Sequence, residues 1–197
     1  TTGLGELTSA ENAGSLTVKR SQRLECEEGG CSKTASCHSW FMRLNLVNAS
    51  EPVLNRRVGT FSKFGSDLNP LISEMFRVME ENNGVGLAAN QVGLDINLFI
   101  WAYDGDRGYI LNPSLILSGE MIVSSEGCLS LPGLFGLVPR YESVELKGMD
   151  MFGSELILKA SGFKARIFQH EVDHLNGKLY TERTLKLYNK SGIEEVS

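Results

Sequence analysis

The sequence predicts an α+β fold on three observations: two segments with helical apolar spacing, several short strand-like runs between them, and turn residues that separate those runs. The composition, 42% apolar and 22% charged over 197 residues, is that of a single soluble globular domain with a tail to spare.

The chain begins with a segment unlike the rest. Residues 1–41 mix Gly, Ser, Thr and Glu and sustain no apolar period. They are read as an extension, either a leader or a disordered stretch, ahead of a catalytic domain over residues 42–197. No apolar core of a secretory signal is present, and Glu6, Glu11, Glu25, Glu27 and Glu28 are too many acids for a transit peptide. Cys26, Cys31 and Cys37 lack paired C-x-x-C spacing and are read as reduced thiols rather than a zinc knuckle.

The first helix is expected from about Ser66, where Leu68, Leu71, Ile72, Met75, Phe76 and Met79 recur at spacings of three and four. Pro70 suits its first turn and Asn82-Asn83-Gly84 its end. Leu98–Tyr103 then reads as a strand, Asp104-Gly105-Asp106 as a hairpin turn, and Tyr109–Leu111 as the returning strand, broken by Asn112-Pro113. Leu115–Leu117, Met121–Val123 and Val144–Leu146 are further short strands. Leu156–Leu158 pairs with the last of these across the Met151-Phe152-Gly153 turn. A second helix runs from Phe163 to Asn176, closed by Gly177.

Bulk properties exclude some functions. A net charge of −5 argues against direct nucleic-acid binding, which needs surplus Lys and Arg to neutralise phosphates. No apolar run is long enough for a membrane span. A monomer is the default expectation.

The second helix carries His170-Glu171-Val172-Asp173-His174, an H-E-x-x-H motif. Residues four apart share a helix face, so both imidazoles can reach one cation, and Glu171 is offset where it can handle a proton. A catalytic metal needs a third protein ligand and an open position. A zinc endopeptidase would find that ligand downstream, where Tyr180 stands in place of a histidine and Glu194 and Glu195 lie in a polar tail. Upstream, Cys128 in Glu126-Gly127-Cys128-Leu129-Ser130 fits a Cys/His/His set better.

Three blocks occur in order: Gly84-Val85-Gly86-Leu87-Ala88-Ala89-Asn90-Gln91, Glu126-Gly127-Cys128-Leu129-Ser130, and Gln169-His170-Glu171-Val172-Asp173-His174-Leu175-Asn176-Gly177. In them the chain resembles the peptide deformylase family from about Glu51 to Leu185. The resemblance implies antiparallel sheets packed around a central helix that carries the metal motif, with an additional N-terminal helix. It implies hydrolysis of the formyl group of initiator formyl-methionine on newly made polypeptides, near the ribosome exit. One divalent ion, Fe(II) natively with Zn, Ni or Co able to replace it, would be held by Cys128, His170 and His174. Glu171 would move the proton, while Gln91 and the Leu129 amide N–H would bind the oxyanion. Gly86 would let substrate backbone approach, and Val85, Phe163 and Ile167 would wall the methionine pocket. Glu126 would pair with Arg140, and Asp173 would be structural. The implied compartment is a bacterial cytoplasm, or a plastid or mitochondrion if residues 1–41 belong to a leader. The chain departs from the family at Phe135, where many members have a substrate-contacting Arg.

Overall fold

Two long strands organise the domain. The computed structural model describes residues 43–189; the readings made on residues 1–41, and the candidates Glu194 and Glu195, lie outside them. Strands β1 (Gly86–Ala88), β2 (Leu98–Tyr103), β3 (Asp106–Cys128), β4 (Leu131–Met149) and β5 (Glu155–Ser161) follow one another in the sheet, and β6 (Lys186–Asn189) pairs with β4. Every pairing is antiparallel. Rather than several sheets, this is one six-stranded sheet, because β3 and β4 are long enough to join its two ends. Helices α1 (Asn69–Glu81) and α2 (Gly162–Leu175) complete an α+β domain.

The turn between β2 and β3 is the expected one. Asp104 and Gly105 both have positive φ, 52° and 75°, the left-handed pair that a two-residue hairpin with native twist requires. Tyr103 then faces Asp106 directly. The expected break at Asn112-Pro113 is corrected: β3 continues through it with a register shift between Leu111 and Ser114. Proline lacks an N–H and so forces a bulge, but the Asn112 side chain holds the strand in line. Its Oδ1 accepts from Phe61 N–H at 2.8 Å and its Nδ2 donates to Phe61 O at 2.8 Å. A second shift between Ser118 and Met121, with Gly119 at φ 80°, joins the two runs expected as separate strands.

The sheet buries its apolar faces on both helices. The face of α1 carrying Leu71, Ile72, Met75, Phe76 and Met79 is buried against Leu87, Leu98 and Ile100. Around α2, Ala165, Ile167, Phe168 and Leu175 pack with Phe99, Trp101, Ile110, Val144 and Leu146. Gln169 fixes α2 on β4 like an extra strand residue: its Oε1 accepts from Tyr141 N–H at 3.0 Å and its Nε2 donates to Tyr141 O at 2.8 Å. The helix ends as predicted. Gly177, at φ 71°, donates to His174 O and Lys178 donates to Asp173 O, which satisfies two carbonyls left over by the last turn. A Cβ on Gly177 would lie 2.5 Å from the Arg56 backbone, so this position tolerates only glycine. No helix among the described residues is long and apolar enough to cross a membrane.

Candidate metal centre

The end of β3 delivers Cys128 to the face of α2 that carries His170 and His174. Cys128 Sγ lies 3.2 Å from His174 Nε2, which lies 3.2 Å from His170 Nε2. All three donor atoms fall within 4.8 Å of one another. Two imidazole nitrogens and one sulfur converging this closely suit a tetrahedral divalent cation with one position left open. The downstream alternative is not supported. The Tyr180 hydroxyl donates to Leu134 O at 3.0 Å, and its ring stacks on His170 with centroids 5.9 Å apart.

A buried ionic web orients the first histidine. His170 Nδ1–H donates to Glu126 Oε2 at 3.0 Å, which leaves Nε2 as the nitrogen that can bind a metal once its proton is displaced. Arg140 is 4% exposed and grips both oxygens of Glu126 at 2.9 Å. The same guanidinium donates to Asp173, which Arg183 holds at 2.6 and 2.7 Å. Burial alone would raise the Glu126 carboxyl, but His170 and Arg140 outweigh it and hold it at about 2. Burial opposes a charged His170, yet Cys128 and Glu126 push it up to about 10. His174 goes the other way, well below its ordinary value, through burial and the neighbouring His170 charge. Metal binding at this pair therefore displaces a proton from His170 while His174 is already neutral.

Sequence reasoning missed two members of the web, Arg183 and Arg166. Arg166 is buried and donates to Glu126 Oε1 at 2.7 Å, to Val138 O at 2.9 Å and to Ile122 O at 2.7 Å. The signal was available, since Arg166 sits four residues before His170 on the same helical stripe.

Glu171 lies beside the ligands. Its side chain is 3% exposed and Oε2 has no protein partner. Burial raises its carboxyl to about 7, His170 notwithstanding, the poise of a group that exchanges protons at neutral pH. Gly86 has a tighter role than predicted: a Cβ there would meet Glu171 Oε1 at 2.4 Å and Ile167 Cγ2 at 2.9 Å. The absence of a side chain at Gly86 is what makes room for the Glu171 carboxylate.

Gln91 is held with its amide toward the ligands. Its Oε1 accepts from Ala88 N–H at 2.9 Å, so its Nε2 is left within 3.4 Å of Cys128 Sγ and 3.5 Å of Ser130 Oγ. Asn90 braces α2 from the same turn, donating to His174 O at 2.5 Å. A cleft of about 510 Å³ opens over this group, and Val85, Gly86, Gln91, Leu129, Phe163 and Ile167 all line it. Ile167 is 4% exposed, whereas Val85 at 36% and Phe163 at 46% form the rim.

The domain matches known proteins along its described length. The family model for polypeptide deformylase matches residues 43–190. A Streptomyces coelicolor protein named peptide deformylase 2 is 39% identical over 153 residues, covering 75% of this chain and 86% of that protein. The chloroplastic peptide deformylase 1B of Oryza sativa subsp. japonica is 37% identical over 146 residues, 71% of this chain and 54% of its own. The crystal structure of peptide deformylase from Thermotoga maritima superposes with a TM-score of 0.70 at 33% identity, over 73% of this chain and 98% of that one. A Synechococcus elongatus peptide deformylase in complex with actinonin superposes with a TM-score of 0.69 at 34% identity, over 72% of this chain and 80% of that one. With that match extending from Arg43 through the metal helix, the chain belongs to the peptide deformylase family.

Proposed function

We propose that this chain is a metal-dependent hydrolase that removes the formyl group from the initiator formyl-methionine of newly synthesised polypeptides, releasing formate. One observation carries the reading: a buried carboxylate raised to about 7 stands next to a converged Cys/His/His set inside an open cleft.

In this reading Cys128, His170 and His174 hold one divalent ion, natively Fe(II), with Zn, Ni or Co able to occupy the same donors; sulfur plus imidazole suits all four. When bound, the ion supplies a Lewis acid that acidifies a neighbouring water and polarises the formyl oxygen. Glu171 takes the proton from the attacking water and passes it to the leaving amine, a double role that its pKa near neutrality supports. The Gln91 side-chain amide and the Leu129 backbone N–H donate to the formyl oxygen as it gains negative charge. Each such donor is worth roughly 10²–10³ in turnover. Val85, Phe163 and Ile167 enclose the methionine side chain, and the edge strand β1 at Gly86 lies along the substrate backbone. Glu126, with Arg140 and Arg166, holds His170 in its metal-binding tautomer.

The catalytic domain spans residues 42–197, acts as a monomer near the ribosome exit, and contacts neither nucleic acid nor membrane. Residues 1–41 are an extension outside the catalytic domain. The compartment is one where chains start with formyl-methionine: a bacterial cytosol, or a plastid or mitochondrion if the extension is part of a leader.

The test is formate release from formyl-Met-Ala-Ser, with Fe(II) in the absence of oxygen and with Zn(II). No formate with either metal refutes the activity. Undiminished formate from Glu171→Ala refutes the assignment of the base. Iron-loaded enzyme should lose activity in air, and equal persistence in air would refute native iron.

A further inference from the structure

Tyr180 stands six residues after His174, where a zinc endopeptidase would need its third histidine. It offers a metal no ligand, since its hydroxyl donates to Leu134 O at 3.0 Å. It is nevertheless 1% exposed and lies against a ligand. Its ring stacks on the His170 imidazole with centroids 5.9 Å apart and an interplanar angle of 26°, within the range of offset-stacked aromatic pairs.

Contacts from the end of α2 and from β4 hold that ring. The chain reverses at Gly177, φ 71°, and enters a short 3-10 turn over Tyr180–Glu182. Arg183 N–H donates to Tyr180 O at 3.0 Å, and the Arg183 guanidinium is tied to Asp173 on α2. On β4 the Tyr180 hydroxyl is tied to Leu134, and Gly136 leaves the space that the ring fills: a Cβ there would lie 3.0 Å from Tyr180 Cε2. A buried ring tied at both its hydroxyl and its backbone presents a rigid flat face.

His170 needs such a face. Its Nδ1–H bond to Glu126 fixes one edge of the imidazole. A single hydrogen bond still lets the plane tilt, because it weakens steeply only below an angle of about 120°. Tilting would carry Nε2 away from His174 Nε2, which lies 3.2 Å from it. A flat ring stacked on the imidazole opposes that tilt without donating or accepting a bond.

We infer that Tyr180 is a positioning residue for the metal centre: its stacked ring holds the plane of His170 so that Nε2 stays with the Cys128 and His174 donors. The inference rests on those three residues being the metal ligands, which metal binding by the unmodified protein tests separately.

The experiment compares the unmodified protein with Tyr180→Phe and Tyr180→Leu. It measures Zn(II) affinity by competition with a chromophoric chelator, and the visible absorption of the Co(II)-loaded protein, whose bands report ligand geometry. Urea unfolding of the metal-free proteins runs in parallel. Tyr180→Leu should weaken Zn(II) binding about tenfold or more, the usual cost of losing a group that orients a ligand, and should shift the Co(II) bands. Tyr180→Phe keeps the ring and loses only the bond to Leu134. It should lower the urea midpoint yet retain the Co(II) bands and the Zn(II) affinity of the unmodified protein. If Tyr180→Leu does not fold, Tyr180→Met takes its place, since a flexible thioether fills the space without a ring. A folded Leu or Met variant that matches the unmodified protein in both metal measurements overturns the inference and leaves the ligand set standing. Equal loss of metal in Tyr180→Phe and Tyr180→Leu also overturns it, because the effect then follows stability rather than the ring. Unmodified protein that binds neither Zn(II) nor Co(II) removes the ligand set and the inference together.

Discussion

Replacing Gly86 by alanine should cut turnover about a hundredfold while leaving the metal in place. The added Cβ would stand 2.4 Å from Glu171 Oε1, 2.9 Å from Glu171 Cδ and 2.9 Å from Ile167 Cγ2. Non-bonded carbon contacts settle at about 3.5–4.0 Å, so the carboxylate must retreat by about 1 Å. A carboxylate end is ordinarily free to swing away, but Glu171 is 3% exposed and Ile167, on its flank, is 4% exposed. A displacement of about 1 Å in a group that positions a proton costs on the order of 10² in rate, or about 2.7 kcal/mol of barrier. The three atoms nearest the new methyl group belong to Glu171 and Ile167 rather than to Cys128, His170 or His174, so metal stoichiometry should stay at that of the unmodified protein. The assay is kcat and KM for formyl-Met-Ala-Ser, with metal content measured on the same sample. The competing role for Gly86, backbone access for the substrate, predicts a raised KM at unchanged kcat. That outcome, with full metal occupancy, would refute the argument that Gly86 exists to seat Glu171.

Arg140→Met should destabilise the fold by about 1–3 kcal/mol, because buried Glu126 loses the partner on both its oxygens while Arg166 and His170 remain on Glu126 and Arg183 on Asp173; urea unfolding would read this as a lower midpoint. Acid stability should depend on Glu126, whose carboxyl sits at about 2 in the folded protein against an ordinary 4.5. A depressed carboxyl contributes stability that is present above 4.5 and lost as pH falls toward 2, here about 3 kcal/mol, and Glu126→Gln should remove that part of the pH dependence of the urea midpoint. Loading metal-free protein with Zn(II) at neutral pH should release protons, since His170 starts protonated, and affinity should therefore fall as pH drops; proton uptake or no release in a weakly buffered titration would contradict a protonated His170 in the metal-free protein. Gly177→Ala should lower stability by more than about 1 kcal/mol without altering metal binding, because φ is 71° and the Cβ would strike the Arg56 backbone.

Features set by neighbours along the chain were legible in the sequence. The four-residue spacing of His170 and His174 is a helix repeat, the Asp104-Gly105 turn is a two-residue conformational preference, and the Gly177 stop is one residue's freedom to take positive φ. The need for a third ligand pointed to Cys128 and the family blocks added Gln91; the fold brings Cys128 to His174 and Gln91 to Cys128. What distant residues decide was not legible. Nothing local says that Asn112 holds β3 through its proline by bonding Phe61, so the strand was read as broken. The helical stripe places Arg166 near His170, but nothing local says that its partner is Glu126 or that Gly86 makes room for Glu171. Cys128 and His174 are 46 residues apart in sequence and 3.2 Å apart in space. Backbone preferences act over one to four residues and are written in the order of the amino acids. The raised Glu171, the depressed Glu126 and the converged donors depend on burial and through-space charge, which exist only once β3, β4 and α2 have packed together.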